Sequence, residues 1–234
     1  MADAKTHATG GELAVIVGAG SGLSASLARA CAGAGMKVAL AARRPEKLAD
    51  LVKETGAEAL ACDATKPAEV KALFERVGAV PDLVVFNAGY RTRGPFVDLD
   101  AAEVEKTLIS SAFGGFLVAQ EAAKRMLPKG KGSIFFTGAS ASVKGYAQSA
   151  PFAMAKFALR GLAQSLAREL QPKGIHVAHF VIDGGIAGTT VERVSSDDKW
   201  LNPDAIAQTY LAVHRQHRSA WSLEMEVRPW TENF

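Results

Sequence analysis

Residues 13–35 read LAVIVGAGSGLSASLARACAGAG, and the fold can be worked outward from them. LAVIVG (13–18) is a short apolar run rich in branched residues, the pattern of a strand buried on both faces. GAGSG follows as a turn almost bare of side chains, and LSASLARACAGAG (23–35) reads as a small-residue helix ending in glycines. A strand that feeds such a turn and then a helix aims backbone N–H groups at one point, which suits an anion. The dinucleotide fingerprint G-x-G-x-x-G would need glycine at 18, 20 and 23, and position 23 is Leu23. Read instead as G-x-x-x-G-x-G, the stretch offers Gly18 and Gly22, with Ser24 where a third glycine belongs. Gly18, Gly20 and Gly22 leave a phosphate room to approach. Ser24 adds two heavy atoms where helix and strand pack, so it is either tolerated or it shifts the helix. The same turn taken alone also fits a tight strand-to-helix connection with no ligand.

Downstream, strand and helix alternate. Strands are predicted over 36–42, 57–63, 82–89, 132–140, 175–183 and 221–227, and helices over 45–56, 66–78, 100–127, 150–171 and 202–216. Asn202 and Pro203 mark the start of the last helix as N-cap and first position. The early strands are apolar throughout rather than alternating, so the expected class is α/β, with a parallel sheet covered on both faces. No repeat, linker or low-complexity tract interrupts the pattern. One domain is expected over 1–234, with 1–11 as a flexible tail and the Gly-rich 183–190 stretch as a mobile flap.

Composition narrows the function classes. The chain has 234 residues, 48% of them hydrophobic, which supports a sizeable core. Its formal net charge is +3, with Lys and Arg dispersed rather than clustered, so nucleic acid is not an expected partner. The first residues lack an apolar signal core, and no apolar run approaches the roughly 18 residues of a membrane span. The expectation is a cytoplasmic protein with no membrane partner. Cys31 and Cys62 lie in apolar segments and read as buried thiols rather than a disulfide or a metal site. His176 and His179 are three apart on a strand and face opposite sides of the sheet, which excludes a shared metal. His214 and His217 share a face of the predicted last helix, as either a weak metal pair or a solvated basic face. Trp221, Trp230 and Phe234 read as packing or subunit contacts.

The second strand ends at Arg43-Arg44. A dinucleotide carrying a 2′-phosphate favours arginine there, and one lacking it favours an acid. Together with the glycine turn, this favours NADP over NAD, although two exposed loop arginines would look the same.

Several pieces in order, VGAGSGLS, ACDAT, FNAG, the serine region through Lys156 (137–156) and ARELQPKGIHV, resemble the short-chain dehydrogenase/reductase family over nearly the whole chain. The resemblance implies a Rossmann-type sheet of about seven parallel strands, with a dinucleotide across their carboxyl ends. It assigns Gly18, Gly20, Ser21, Gly22, Leu23 and Arg43 to that cofactor, with Asp63 at the adenine. Asn87, Ala88 and Gly89 would lie beside it, Gly184 and Ile186 would contact it, and Lys156 would hold the nicotinamide ribose. It implies that Ser140, with Ser142 close by, orients a substrate carbonyl. It also implies that the helices at 100–127 and 150–171 pair between subunits in a homodimer or homotetramer.

The sequence departs from the family where a proton should move. The family tyrosine lies four residues before the lysine, and here that position is Phe152. Ser111 stands where the family has asparagine, Asp183 replaces the proline of a Pro-Gly pair, and the spacing from Ser140 to Phe152 is one residue short. Phenylalanine can neither give nor accept a proton, and general acid–base catalysis contributes about 10²–10⁴ in rate. Tyr146, Ser149 and Asp183 are nearby substitutes. Their plainer readings are loop surface, helix cap and turn. Three functions remain open: an NADP(H)-dependent oxidoreductase with an altered proton relay, a non-catalytic NADP(H)-binding protein, and a different reaction on the same scaffold.

Overall fold

The computed structural model describes residues 11–188 and 199–232. The expected tail therefore lies outside the described residues except for Gly11, as do residues 189–190 of the expected flap and Phe234.

Seven strands form one sheet in the order β3-β2-β1-β4-β5-β6-β7. They are β1 (Leu13–Val17), β2 (Lys37–Ala42), β3 (Glu58–Ala61), β4 (Leu83–Phe86), β5 (Gly132–Thr137), β6 (Ile175–Ile182) and β7 (Glu224–Val227). Every pairing is parallel. This is the doubly wound Rossmann-type arrangement, in which strand order reverses between β1 and β4 and a crevice opens at their carboxyl ends.

The helices are α1 (Leu23–Gly33), α2 (Ala49–Thr55), α3 (Pro67–Val77), α4 (Ala101–Leu108), α5 (Gly114–Met126), α6 (Ala150–Leu170) and α7 (Pro203–His214). They cover both faces. Ile16, Leu40 and Phe180 point to the side of α1, α2 and α7. Val15, Val17, Val84 and Phe136 point to the side of α3, α5 and α6. The period of two that sends neighbouring residues to opposite faces explains why both sets must be apolar, and hence the unbroken apolar runs. End signals work as read. Pro67 opens α3 and Gly78 closes it in a left-handed cap. Asn202 Oδ1 accepts the Asp204 N–H at 2.8 Å to start α7.

Three expectations need correction. The single helix expected over 100–127 is two helices joined by a π turn, Ile109–Phe113. The predicted strands run too far at their carboxyl ends: 82–89 is a strand only to Phe86, and 132–140 only to Thr137. Beyond those points the chain leaves the ladder to form the site. α7 stops at His214, so His217 is not on its face; it caps the next turn by accepting from Ser219 N–H. His214 is turned to Ser133 Oγ at 2.8 Å. Among the described residues, no cluster of three or more His, Cys, Asp or Glu is placed to hold a metal, and no helix is long and apolar enough to cross a membrane.

Candidate functional site

A cleft of about 510 Å³ opens at the carboxyl edge of the sheet, at the reversal between β1 and β4. Gly18, Arg43, Asp63, Asn87, Ala88 and Gly89 all line it, although up to 71 residues separate them in the chain.

Gly18 makes the crevice possible. Its φ is +88°, and a Cβ there would fall 2.4 Å from the Ala88 amide nitrogen. Its N–H and that of Ala19 both donate to Ala41 O, at 3.0 and 2.9 Å, which bends the chain off the end of β1. Around Gly20 there is open space. Gly22 is the N-cap of α1 and offers no side chain, and the first turn carries no acid, so nothing in that turn repels an anion. Ser21 lies in this turn, and Leu23, the first residue of α1, is buried.

Ser24 does not disturb the helix. It is 1% exposed, its hydroxyl donates to Gly18 O at 3.1 Å, and it accepts from Asn87 Nδ2 at 2.7 Å. The hydroxyl thus ties the turn after β1 to the strand end of β4, and both of its bonds are made inside the protein.

On the far side of the cleft, Asp63 accepts from the Thr65 N–H and hydroxyl at 2.9 and 2.8 Å. Burial opposes its charge, but the Thr65 hydrogen bonds and the Arg43 charge together hold its carboxyl below the usual range. Arg43 is exposed at the end of β2. The α4 residues Ala102, Glu105 and Lys106 close the cleft. Sequence reading missed them, since only the docking of α4 brings them there; the Asp100 cap that starts α4 was the nearest signal.

Toward β5 and β6 the character changes. Lys156, on α6, is buried, and its Nζ donates to Thr137 O at 2.7 Å. Burial pushes its ammonium pKa down to about 8. Nζ lies 5.7 Å from the centroid of the Phe152 ring, and Arg91 Cζ lies 4.6 Å from the same centroid, so the ring is clasped by two cations. Neither Arg91 nor its place on the ring was foreseen. Ser142 is fully buried and its hydroxyl accepts from the Ala139 N–H at 3.1 Å, which closes the turn. Ser140, at the start of that turn, remains partly exposed.

Several polar atoms here lack protein partners. The hydroxyls of Ser111 and Ser149 and both ring nitrogens of His179 are buried without a hydrogen bond. Ser111 sits in the π turn, facing Gly89, whose Cβ would lie 3.3 Å from the Ser111 hydroxyl. His179 lies beneath Gly138 and beside Glu224, which Arg160 grips with two hydrogen bonds of 2.6 and 3.0 Å. Burial pushes His179 down to about 4, so it stays neutral at ordinary pH.

The three substitute proton sources fare unequally. Asp183 is buried, and its Oδ2 faces Lys144 at 3.5 Å and Arg228 at 3.4 Å, engaged in ion pairs. Tyr146 is exposed, with Lys144 5.8 Å from its ring centroid. Ser149 is the N-cap residue of α6, as read, but its side chain makes no capping bond. Gly184 follows Asp183, packed against Pro229. Ile186 forms a parallel bridge with Leu201. Cys31 and Cys62 are free and buried, and burial raises both to about 12, so neither thiol is reactive.

The chain matches a family model described as short chain dehydrogenase over residues 12–200. A D-threitol dehydrogenase of Mycolicibacterium smegmatis is 28% identical over 217 residues, 84% of this chain and 83% of that protein. A solved short-chain dehydrogenase from Rhodopseudomonas palustris is 36% identical with a TM-score of 0.83, covering 94% of this chain and 99% of its own. A metagenomic short-chain oxidoreductase solved in complex with NADP is 27% identical with a TM-score of 0.82, covering 93% and 97%.

Proposed function

The chain belongs to the short-chain dehydrogenase/reductase family, and from that premise we propose that it is an NADP(H)-dependent oxidoreductase acting on a carbonyl or alcohol, with an altered proton relay. The observation that carries the reading is the cleft at the β1–β4 reversal, lined by Gly18 and Ala19 of the turn that leads to α1 and by Arg43 and Asp63. The residues fit a dinucleotide. Gly18 lets the chain after β4 approach so closely that any Cβ would strike Ala88, and no acid stands at the first turn of α1.

In this reading Gly18, Gly20, Ser21, Gly22 and Leu23 hold the pyrophosphate, and Arg43 meets the 2′-phosphate. Asp63 takes the adenine edge, Asn87, Ala88 and Gly89 form the floor, and Gly184 and Ile186 flank the nicotinamide end. The bound dinucleotide supplies or accepts a hydride. Ser140 donates a hydrogen bond to the substrate oxygen, and Lys156 holds the ribose while adding positive charge where negative charge develops. The NADP-bound relative supports the choice of cofactor. Phe113, Phe116, Met154 and Phe157 leave apolar surface on the π turn, α5 and α6 exposed, consistent with helices that pair between copies in a homodimer or homotetramer. A cytoplasmic location is part of the same reading.

A second reading rests on Phe152 and on the orphan hydroxyl of Ser111: a protein that binds NADP(H) without turning it over. The first test is a fluorescence titration with NADPH and separately NADH. Saturable NADPH binding tighter than NADH is expected. Absence of binding by either dinucleotide sinks both readings.

A further inference from the structure

We propose that Lys156 is itself the proton donor of this site, in place of the hydroxyl that Phe152 lacks. The inference rests on the oxidoreductase reading and goes beyond a ribose-holding lysine.

The geometry leaves few other donors. Phe152 has no exchangeable proton. Asp183 is held by Lys144 and Arg228. Tyr146 is exposed and turned to Lys144. The Ser140 hydroxyl is too weak an acid to serve alone. Lys156 is held in place: Nζ spends one N–H on Thr137 O at 2.7 Å, which leaves two, one for the ribose and one for the substrate oxygen. Its position 5.7 Å from the Phe152 ring centroid sets it where the tyrosine of the family pattern would have been its neighbour.

The surroundings favour release of that proton. Desolvation brings the ammonium down to about 8, near neutrality, where an acid works best. The charges facing it are balanced in the same direction. On β6, His179 stays neutral. On β7, Glu224 is neutralised by Arg160 of α6 at 2.6 Å. From α7, Tyr210 is fully buried, bonded to Thr137 Oγ at 2.9 Å, and burial raises it far above its usual range, so it contributes no negative charge. Arg91, across the Phe152 ring, adds a second cation.

The step balances. As hydride from the reduced nicotinamide dinucleotide reaches the carbonyl carbon, the C=O π pair moves to oxygen. An N–H bond of Lys156 breaks and an O–H bond forms. The neutral amine regains its proton from water, and the dinucleotide leaves oxidised by two electrons. In the alcohol-oxidising direction the neutral amine is the base, so oxidation rises and reduction falls as pH passes through about 8.

The test uses the full chain with NADP bound. In protein labelled with ¹⁵N-lysine, and with Lys156→Arg to assign the signal, the Nζ resonance should lose its charge with a midpoint near 8. A Nζ that stays charged through pH 10 overturns the inference. Butane-2,3-dione with NADPH then reads the chemistry. Lys156→Arg keeps the charge and a donor for the ribose but cannot release a proton. With NADPH saturating for each protein, it should lower kcat by about 10²–10⁴. Retained kcat in that variant overturns the inference. So does a wild type that binds NADPH but leaves the dione unreduced where Phe152→Tyr reduces it. If neither protein reduces it while both bind NADPH, the oxidoreductase reading itself falls and takes this inference with it.

Discussion

The two ends of the cleft carry substitutions of opposite kinds. At the β1 end, Ser24 replaces a glycine of the family pattern, and the structure has partners ready for it in Gly18 O and Asn87 Nδ2. At the α6 end, Phe152 and Ser111 replace a tyrosine and an asparagine, and the buried Ser111 hydroxyl makes no hydrogen bond. At the first end the changed residue is bonded on both sides, to the turn after β1 and to Asn87. The second lost a hydroxyl and an amide without gaining bonds. A substitution therefore says little until its neighbours are known. The same loss of family pattern strengthens one end and empties the other.

The largest test of this contrast is Phe152→Tyr. Lys156 already donates in the wild type, so carbonyl reduction with NADPH should rise by well short of about 10²–10⁴-fold, the full worth of a general acid. A rise of that size would mean that the α6 end has no donor of its own. Gly18→Val attacks the other end. With φ at +88° and a Cβ 2.4 Å from Ala88 N, it should weaken NADPH binding at least about 100-fold in a fluorescence titration and lower stability by about 3 kcal/mol. A tolerated valine would show that the chain does not pack closely at this end.

Lys156 allows a pH test of burial at the α6 end. Its folded pKa, about 8, lies below its ordinary value of 10.5. Between these values the unfolded chain holds a proton that the folded chain has released, so this group makes stability rise with pH across that window and costs most below it. Compared with Lys156→Met by urea unfolding, the wild type should gain about 3 kcal/mol between pH 8 and 10.5. A flat difference would place the ammonium in water. The smallest effect is expected from Ser24→Gly. It restores the family residue yet removes two hydrogen bonds, and should cost about 1–2 kcal/mol in urea with little change in fold. A stabilised glycine variant would erase the distinction between the two ends.

Much of this was legible in the residues. The apolar strands, the glycine turn, the Pro67, Asn202 and Gly78 signals and the opposed faces of His176 and His179 are local patterns with fixed periods. They are written in the chain because backbone geometry repeats. Arg43 was legible because it follows the second strand, and Asp63 and Asn87–Gly89 through the family resemblance; they meet in one cleft because strand ends of a parallel sheet share one edge. The π turn was not legible, because a single helix-like pattern runs through it. The end of α7 at His214 was missed too, since its last side chain is held by Ser133, 81 residues away.

The amino-acid sequence by itself determined the α/β class, the edge on which a ligand would lie, and the absence of a proton on Phe152, since these depend on residue type and short spacing. Only the tertiary structure decided that Ser24 is bonded on both sides, that Asp183 is occupied by two cations, and that Lys156 is buried against Thr137. Those outcomes depend on which groups meet across tens of residues, and whether a buried polar atom finds a partner is a property of packing.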